Sequence, residues 1–438
     1  MDVDGALARV GVRVPDVLIP RPGSDLHAWA VVACDQFTSQ PEYWGQAAAI
    51  VDGKPSTLNL IFPEVFLEQP DAAARIRAIN TTMTDYLASD VLRTHPRTMV
   101  LVRRETAHGV VRWGLMVALD LEHYSWEPDA RTPIRATEGT ILDRLPPRVA
   151  IRRDAPLELP HIMVLISDHH RSVIEPLAAA GERLTPLYDT ELMLGGGRVS
   201  GWAVDAPDDH ATVAAALGDL LDALDPADPL LFAMGDGNHS FATAKSIWNE
   251  IRPTLPADQR DDHPARFCLV ELENIYDPGL EFEPIHRVLF HCERADFEAA
   301  LARQCAGYQR VAVATPAEAL ALIDDPQVQA FGYLDAAGSA VYRLREPRGS
   351  LAAATLQRTI DELLADGLAE VDYIHGADVT AELGRTPGNL GLLLPGLSKD
   401  SFFASIVADG ALPRKTFSLG EASDKRYYLE SRHIARKD

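Results

Sequence analysis

The densest group of residues that could do chemistry lies at positions 235–240, where the sequence reads Gly-Asp-Gly-Asn-His-Ser. An apolar run at 230–234 precedes this loop, and a helical pattern follows it at 239–251. A glycine turn between a strand and a helix directs the unpaired N–H groups of the helix start toward one point, where the helix dipole favours negative charge. Gly235 and Gly237 carry no Cβ atom and would permit close approach of a ligand. The 235–240 loop therefore predicts an anion site, with phosphate as its ligand.

Side chains in the 235–240 loop have candidate roles at such a site. Asp236 could hold a metal ion bound to phosphates, and His239 could contact a phosphate or move a proton. A structural interpretation also accounts for the pattern, namely a capped helix start after a tight turn, with Asn238 as the N-cap. The loop matches neither the GxxxxGK[ST] pattern of a Walker A loop nor the GxGxxG fingerprint.

Two other segments contain candidate catalytic carboxylates. Asp35 follows the apolar run 29–34 and precedes a helix start at 41–44, so it could serve a catalytic or metal-binding role, although structural capping explains it equally well. Glu138 and Arg144 belong to a densely charged run at 135–144. That run predicts either a surface helix start or a pocket wall.

Three further motifs have structural interpretations. Asp168-His169-His170 follows an apolar run and is typical of a solvated loop at a strand end. The three glycines at 195–197 separate two β-like runs and predict a hairpin. The pair His286-Arg287 lies inside the run PIHRVLF and is typical of a polar pair in a strand.

The overall charge is strongly acidic. The 438 residues are enough for two or three domains, and 47% apolar with 24% charged residues is typical of a globular protein. With 41 Lys and Arg against 64 Asp and Glu, the formal charge is −23. This charge repels a phosphate backbone and argues against long nucleic acid as a partner. It does not exclude a small anion, which local N–H groups can hold.

We therefore expect long double-stranded DNA to bind only non-specifically, with a Kd of about 10⁻⁴ M or weaker at physiological salt. A mobility-shift assay at that salt measures this directly. Tight, sequence-dependent retardation would contradict the expectation.

Cysteine usage and hydropathy bear on location. The four cysteines form no CxxC pair, which predicts free, mostly buried thiols in a reducing compartment. The N-terminus lacks an apolar signal region, and no apolar run approaches the roughly 20 residues of a membrane span. We expect a cytoplasmic protein that does not associate with membranes.

Short strand and helix patterns alternate irregularly, which predicts a mixed α/β (α+β) protein rather than a barrel or a doubly wound sheet. The clearest predicted strands cover 29–34, 98–102, 113–121, 161–166, 230–234 and 267–272, and the clearest helices cover 70–88, 209–224, 239–251, 295–304 and 351–365. A new series of patterns starts after about residue 290. The predicted domains are therefore 1–290 and 291–438.

Taken together, several segments resemble one known family, the domain-of-unknown-function family 1015 (DUF1015). They are WAVVACDQFTSQPEYW, STLNLIFPEV, RATEGTILDR, LPHIMVLISD, MGDGNHSFATAK, HPARFCLVELENI, FEPIHRVLF and GALPRKTFSLGEASDKRYYLE. That family is similar to the ParB and sulfiredoxin superfamily, in which the corresponding strand, turn and helix bind nucleotide phosphates. The resemblance implies a ParB/sulfiredoxin-like nucleotide-binding core with large insertions, and a smaller C-terminal α/β region packed on it.

The motif of this family is altered here. Most members carry D-G-H-H-R, whereas this chain has Asn238 in place of the first His and Ser240 in place of the Arg. Loss of that Arg removes a bidentate phosphate ligand, because a serine hydroxyl carries no charge. The other basic candidates are Arg144, Lys245, Arg287, Arg414 and Lys415.

The resemblance implies a nucleotide-dependent phosphotransferase acting on a small metabolite, with a free hydroxy amino acid such as serine as the first candidate substrate. The implied cofactors are Mg²⁺ and a nucleotide, ATP or ADP. The nucleotide-binding candidates are Gly235, Gly237, Asn238, His239, Ser240, Arg144 and Arg287. Asp236 would position the metal, and Asp35 or Glu138 would take the substrate proton. A phosphatase or nucleotide hydrolase and a non-catalytic nucleotide sensor remain alternatives.

Overall fold

The computed structural model describes residues 2–127, 129–325 and 328–435. Its α-helices are α1 (Val3–Arg9), α2 (Leu26–Trp29), α3 (Pro41–Val51), α4 (Ala72–Ala88), α5 (Leu145–Arg152), α6 (Glu175–Ala179), α7 (Pro207–Asp222), α8 (Asn238–Ile251), α9 (Arg294–Leu301), α10 (Pro316–Ile323), α11 (Ala352–Ala365), α12 (Ala377–Gly384) and α13 (Lys399–Asp409).

The strands are β1 (Val12–Arg13), β2 (Val17–Pro20), β3 (Leu92–His95), β4 (Met99–Glu105), β5 (Val111–Asp120), β6 (Tyr124–Ser125), β7 (Ile134–Arg135), β8 (Leu157–Glu158), β9 (Met163–Ile166), β10 (Thr185–Glu191), β11 (Arg198–Val204), β12 (Phe232–Asp236), β13 (Phe267–Asn274), β14 (Phe282–Phe290), β15 (Cys305–Val313), β16 (Ala330–Asp335), β17 (Gly338–Pro347), β18 (Glu370–His375), β19 (Leu390–Leu393), β20 (Phe417–Leu419) and β21 (Arg432–His433).

The chain divides into two units, one formed by Met1–Glu281 with Leu419–Asp438 and the other by Phe282–Ser418. The predicted second domain, 291–438, therefore ends too late. The final residues belong to the first unit because they pair with it: the N–H of Tyr428 donates to the carbonyl of Val31 over 2.9 Å, and β21 pairs with β8.

In the first unit, the described strands include a mixed sheet of ten, in the order β10-β11-β4-β5-β13-β9-β12-β7-β6, with β1 beside β5. Strand β9 runs parallel to β13 and antiparallel to β12. In that antiparallel pair Asp236 lies opposite Met163. The register therefore places the residues just before β9 beside the turn that follows β12.

Helix α8 follows that turn and buries Phe241, Ala242 and Trp248 in the core of the first unit. Its apolar residues recur at helical spacing, so one face packs inward while the N-terminal turn stays near the surface. Helix α5 packs against α8. Arg148 of α5 therefore lies near His239, in the first turn of α8.

The second unit contains, among its described residues, a sheet in the order β15-β17-β16-β19-β14-β18, with β20 beside β14. Phe297 of α9 and Leu356 of α11 share one apolar core with Phe331 and Tyr342 of the sheet. This unit too is a mixture of helices and strands.

The predicted mixed α/β fold is confirmed, since most predicted elements coincide with observed ones to within a few residues. The strand predicted at 29–34 is wrong. Helix α2 ends at Trp29, and the extended segment after it makes a single bridge, Val32 to Tyr427. Its apolar pattern arises because residues 29–33 are buried. Among the described residues, no helix combines the length and apolarity needed to cross a bilayer.

The motifs at 168–170 and 195–197 are structural. The predicted glycine hairpin is confirmed, because β10 and β11 pair antiparallel across it. Asp168 is fully buried rather than solvated, and its carboxylate accepts hydrogen bonds from the N–H groups of Ser172 (2.6 Å) and Val173 (3.0 Å). The aspartate therefore stabilises the turn after β9.

Candidate functional site

The 235–240 loop joins β12 to α8, as the sequence predicts. The N-cap is Gly237, with a φ of 80°, and no side chain in the described part of the chain caps this helix start. Asn238, the predicted cap, lies in the first turn instead. Its side chain accepts a hydrogen bond from the N–H of Thr137 (3.1 Å) and donates to the Thr137 hydroxyl (3.3 Å). The first N–H groups of α8 thus lack a side-chain cap, which is the condition for binding an anion.

The two glycines of the loop lie close against neighbouring residues. A Cβ atom on Gly237 would lie 2.9 Å from Cγ1 and 3.0 Å from Cα of Ile162, and one on Gly235 would lie 2.9 Å from Cδ1 of Leu419. Protein atoms therefore occupy the space beside each glycine, where the sequence predicted room for a phosphate.

Replacing Gly237 by alanine is therefore expected to destabilise the fold. The left-handed backbone and the contact with Ile162 together should lower the free energy of unfolding by about 1–3 kcal/mol. Urea unfolding measures this, with Gly139→Ala as the control because a Cβ at Gly139 meets nothing within 4 Å. Equal stability of Gly237→Ala and the unmodified protein would contradict the packing argument.

Asp236 is paired with a lysine from the end of the chain. Its Oδ2 lies 3.2 Å from Nζ of Lys425, and its Oδ1 accepts a hydrogen bond from the N–H of Gly237 over 2.8 Å. Burial opposes ionisation of Asp236, but Lys425, His161 and the Gly237 N–H hold its pKa below the ordinary value. Asp236 is therefore a carboxylate at neutral pH, and Lys425 supplies a positive charge beside the helix start.

His161, the residue two positions before β9, connects the loop to distant segments. Its Nε2 lies 2.9 Å from Oγ of Ser240 and 3.8 Å from Oδ2 of Asp35, and its Nδ1 lies 2.8 Å from the hydroxyl of Tyr428. In a Ser–His–Asp relay the serine and the carboxylate use opposite ring nitrogens. Here both face Nε2, so the geometry is a different one.

The hydroxyl of Tyr428 connects His161 to Cys34. The Tyr428 oxygen accepts a hydrogen bond from the N–H of Cys34 over 3.1 Å, and burial raises the pKa of this phenol far above its ordinary value, so the phenol keeps its proton. If the phenol donates that proton to Nδ1, the ring proton of neutral His161 lies on Nε2 and faces Ser240 and Asp35. In that arrangement His161 is a donor toward the acceptor hydroxyl, and Asp35 is the adjacent acceptor.

Glu64 brings another carboxylate to this group. Its N–H donates to the carbonyl of Cys34 over 2.8 Å, and its side chain pairs with Arg148. Burial raises the pKa of Glu64 above the ordinary value, Arg148 offsets part of that rise, and the charge of Asp35 adds to it. The site thus combines acidic and basic groups within a partly buried space.

His239 is held neutral. Its Nε2 lies 3.4 Å from the N–H of Ile141, which donates to it. Burial lowers the pKa of His239 to about 4, and the positive charges of Arg148 and Arg144 contribute. Burial is therefore the main reason why His239 is neutral.

This low pKa gives a test of anion binding. We expect His239 to stay neutral down to about pH 5, and added inorganic phosphate to raise its pKa, because a nearby negative charge favours the imidazolium form. NMR titration of the ring with and without phosphate measures the shift. His286 of the second unit, whose pKa burial also lowers to about 4, is the control that should not respond. An unmoved His239 would argue against phosphate at this helix start.

The remaining predicted residues lie in three environments. Glu138 is half-buried in the loop that contacts α8 through Thr137 and Ile141. Arg144 is exposed and close enough to His239 to lower its pKa. Arg287 belongs to the second unit and is fully buried.

The contacts of Arg287 serve its own unit, and we withdraw it as a phosphate ligand. The guanidinium donates to the carbonyls of Ile285 and Arg414 and lies 5.1 Å from the ring centroid of Tyr373. Lys245, another basic candidate, donates to the carbonyl of Leu121 over 2.8 Å.

Sequence reasoning missed five residues of the site, namely Glu64, Arg148, His161, Lys425 and Tyr428. None of the five belongs to a motif singled out by local spacing. Four of them, Glu64, His161, Lys425 and Tyr428, do fall within segments that carry the family resemblance. Polar residues inside those segments were the available signal.

A resident metal does not fit these side chains. Within residues 2–127, 129–325 and 328–435, no three His, Cys, Asp or Glu side chains are arranged to hold a metal ion. Asp236, the predicted ligand, is instead paired with Lys425.

Several solved structures are similar to this chain at low identity. A mutant free serine kinase in complex with AMP matches with a TM-score of 0.41 and 6% identity, over 73% of this chain and 92% of that chain. The same kind of mutant in complex with ADP gives 0.40 and 8%, over 73% and 92%. A conserved hypothetical protein from Pyrococcus furiosus gives 0.36 and 9%, over 72% and 90%. A search of curated proteins finds no match.

A family model covers most of the sequence. The model described as "Protein of unknown function (DUF1015)" matches residues 18–363, well over half of the chain. This match agrees with the resemblance carried by the 235–240 loop and the segments around it. The chain therefore belongs to the DUF1015 family.

Proposed function

We propose that this protein is a nucleotide-dependent phosphotransferase that acts on a hydroxyl group of a small metabolite. The observation that carries the proposal is that the uncapped start of α8 and the side chain of His161 meet at Ser240. This residue lies in the uncapped first turn of α8, and its hydroxyl contacts His161. An anion site and an acid–base group therefore adjoin each other.

The phosphate groups of the nucleotide bind at the N–H groups of residues 238–240. Lys425 and Arg144 add positive charge there and take over the role of the arginine that this chain lacks at position 240. Because phosphoryl transfer needs little covalent participation by the protein, positioning and charge stabilisation account for most of the catalysis.

In the transfer step, the acceptor hydroxyl oxygen forms a bond to the terminal phosphorus. The bond from that phosphorus to the bridging oxygen breaks, and the nucleotide leaves one phosphate shorter. The hydroxyl proton passes to Asp35, while Nε2–H of His161 hydrogen-bonds the same region. Glu138, in the adjoining loop, is the other candidate base. Mg²⁺ carried by the nucleotide needs few protein ligands, and no step here depends on it.

A thermal-shift measurement with ATP and ADP, each with and without Mg²⁺, tests the proposal first. A nucleotide at about 100 times its Kd should stabilise the protein by roughly 2.7 kcal/mol. Turnover is then measured with a panel of hydroxy compounds that includes serine. Absence of binding by any nucleotide contradicts the proposal. Nucleotide consumption without an acceptor indicates a hydrolase, and binding without consumption indicates a sensor.

A further inference from the structure

A cavity of about 130 Å³ in the first unit adjoins the Ser240–His161 contact. Ser240, His161 and Tyr428 line one part of it. Most of the remaining wall is apolar and includes Leu60, Phe62, Leu67, Met83, Ile151 and Ala155. An apolar space therefore lies next to the polar groups that would form hydrogen bonds with an acceptor hydroxyl.

The charged residues of the cavity wall are already paired within the protein. Arg148 pairs with Glu64, and Arg152 pairs with Glu158. The other oxygen of Glu158 accepts a hydrogen bond from the N–H of Leu269 over 2.9 Å. A zwitterion placed here would lose its hydration without gaining free partners from these pairs, which is costly. An apolar group would lose nothing comparable.

We propose, on the basis of the phosphotransferase function above, that the acceptor is a hydroxy compound with an apolar side group. Its hydroxyl lies at Ser240 and His161, and its side group occupies the cavity. In another protein, a cavity of about 150 Å³ lined by Leu, Ile and Phe binds benzene. The cavity of about 130 Å³ here is comparable, so it accommodates a group of up to about the size of a benzene ring. Serine, whose side chain is a single hydroxymethyl group, leaves most of the cavity unfilled.

Primary alcohols of increasing chain length, with benzyl alcohol, probe the cavity directly. Calorimetric titration of the full-length protein measures binding, and nucleotide consumption measures use as acceptor. We expect affinity to rise about fourfold per methylene until the cavity is filled, and then to level off. An affinity that does not depend on chain length overturns the proposal.

Two variants should move the optimum chain length in opposite directions. Ala155→Leu fills the cavity and should weaken binding of benzyl alcohol at least tenfold, whereas Met83→Ala enlarges it and should favour longer chains. Ala150→Leu, the same change at an exposed position of α5, is the control and should match the unmodified protein. Unchanged affinities in folded Ala155→Leu overturn the proposal. If that variant does not fold, an unchanged optimum in Met83→Ala overturns it.

The nucleotide measurements separate this inference from the function on which it rests. Chain-length dependence without any nucleotide binding overturns phosphotransfer and leaves the cavity as a binding site for apolar groups. Nucleotide binding together with preferred use of serine, and no gain from longer alcohols, overturns the apolar acceptor and leaves the phosphotransferase.

Discussion

Replacing Asp35 by asparagine is expected to lower phosphoryl transfer by a factor of about 10²–10⁴, the usual contribution of a general base. The carboxylate lies 3.8 Å from Nε2 of His161, and an amide of nearly the same shape cannot accept the proton of the acceptor hydroxyl. Asp35 is half-buried at the end of an extended segment, so the fold should survive the change. The measurement is kcat at saturating nucleotide and acceptor, with circular dichroism to check folding.

The matched control is Glu138→Gln, which removes the other candidate base by the same chemical change. It should reduce kcat much less than Asp35→Asn, because the carboxylate of Asp35 lies 3.8 Å from Nε2 of His161, the ring nitrogen that contacts Ser240. The opposite ranking of the two variants would transfer the role of base to Glu138.

Much of the fold was predictable because the spacing of apolar residues along the chain indicates most of its strands and helices. Strands β4, β5, β9, β12 and β13 and helices such as α8 each contain a continuous or amphipathic apolar pattern. The failure at 29–34 has the same origin, since burial alone produces an apolar run without any strand pairing. The return of residues 419–438 to the first unit rests on long-range pairing, which no local pattern records.

In the candidate site too, residues that are adjacent in sequence were predictable, whereas residues brought together by the fold were not. The 235–240 loop was recognisable because its turn and helix start are adjacent in sequence. His161 reaches Ser240 only because β9 and β12 pair antiparallel in the observed register. Tyr428 reaches His161 because its segment pairs with the stretch before Asp35. Such contacts depend on strand order, which spacing along the chain does not determine.

The surroundings of Asp236 show why the local sequence was insufficient to identify the cation beside this carboxylate. A carboxylate beside phosphates requires a nearby cation, and for this reason the loop predicted a metal ion at Asp236. The sequence could not distinguish a metal ion from a lysine located 189 positions away. In the structure, the positive charge beside Asp236 is that of Lys425.

Asp236→Asn is expected to lower turnover at least a hundredfold, about 2.7 kcal/mol of transition-state stabilisation. The carboxylate orients Lys425 toward the helix start, and the amide cannot form that ion pair. Because Lys425 is buried, the change should also lower thermal stability, so turnover is measured well below the unfolding temperature. Turnover at the normal rate in folded Asp236→Asn would place the chemistry elsewhere.

A double-mutant cycle with Lys425→Met distinguishes the two possible roles of Asp236. If Asp236 acts through Lys425, the second substitution should cost little once the first is made, because residues that act as a unit are not additive. If Asp236 instead binds Mg²⁺, the two losses should add, and the Mg²⁺ concentration needed for half-maximal turnover should rise only in variants that lack Asp236. Since Lys425 already neutralises this carboxylate in the structure, we expect the non-additive result and a Mg²⁺ requirement that the Asp236 substitution leaves unchanged.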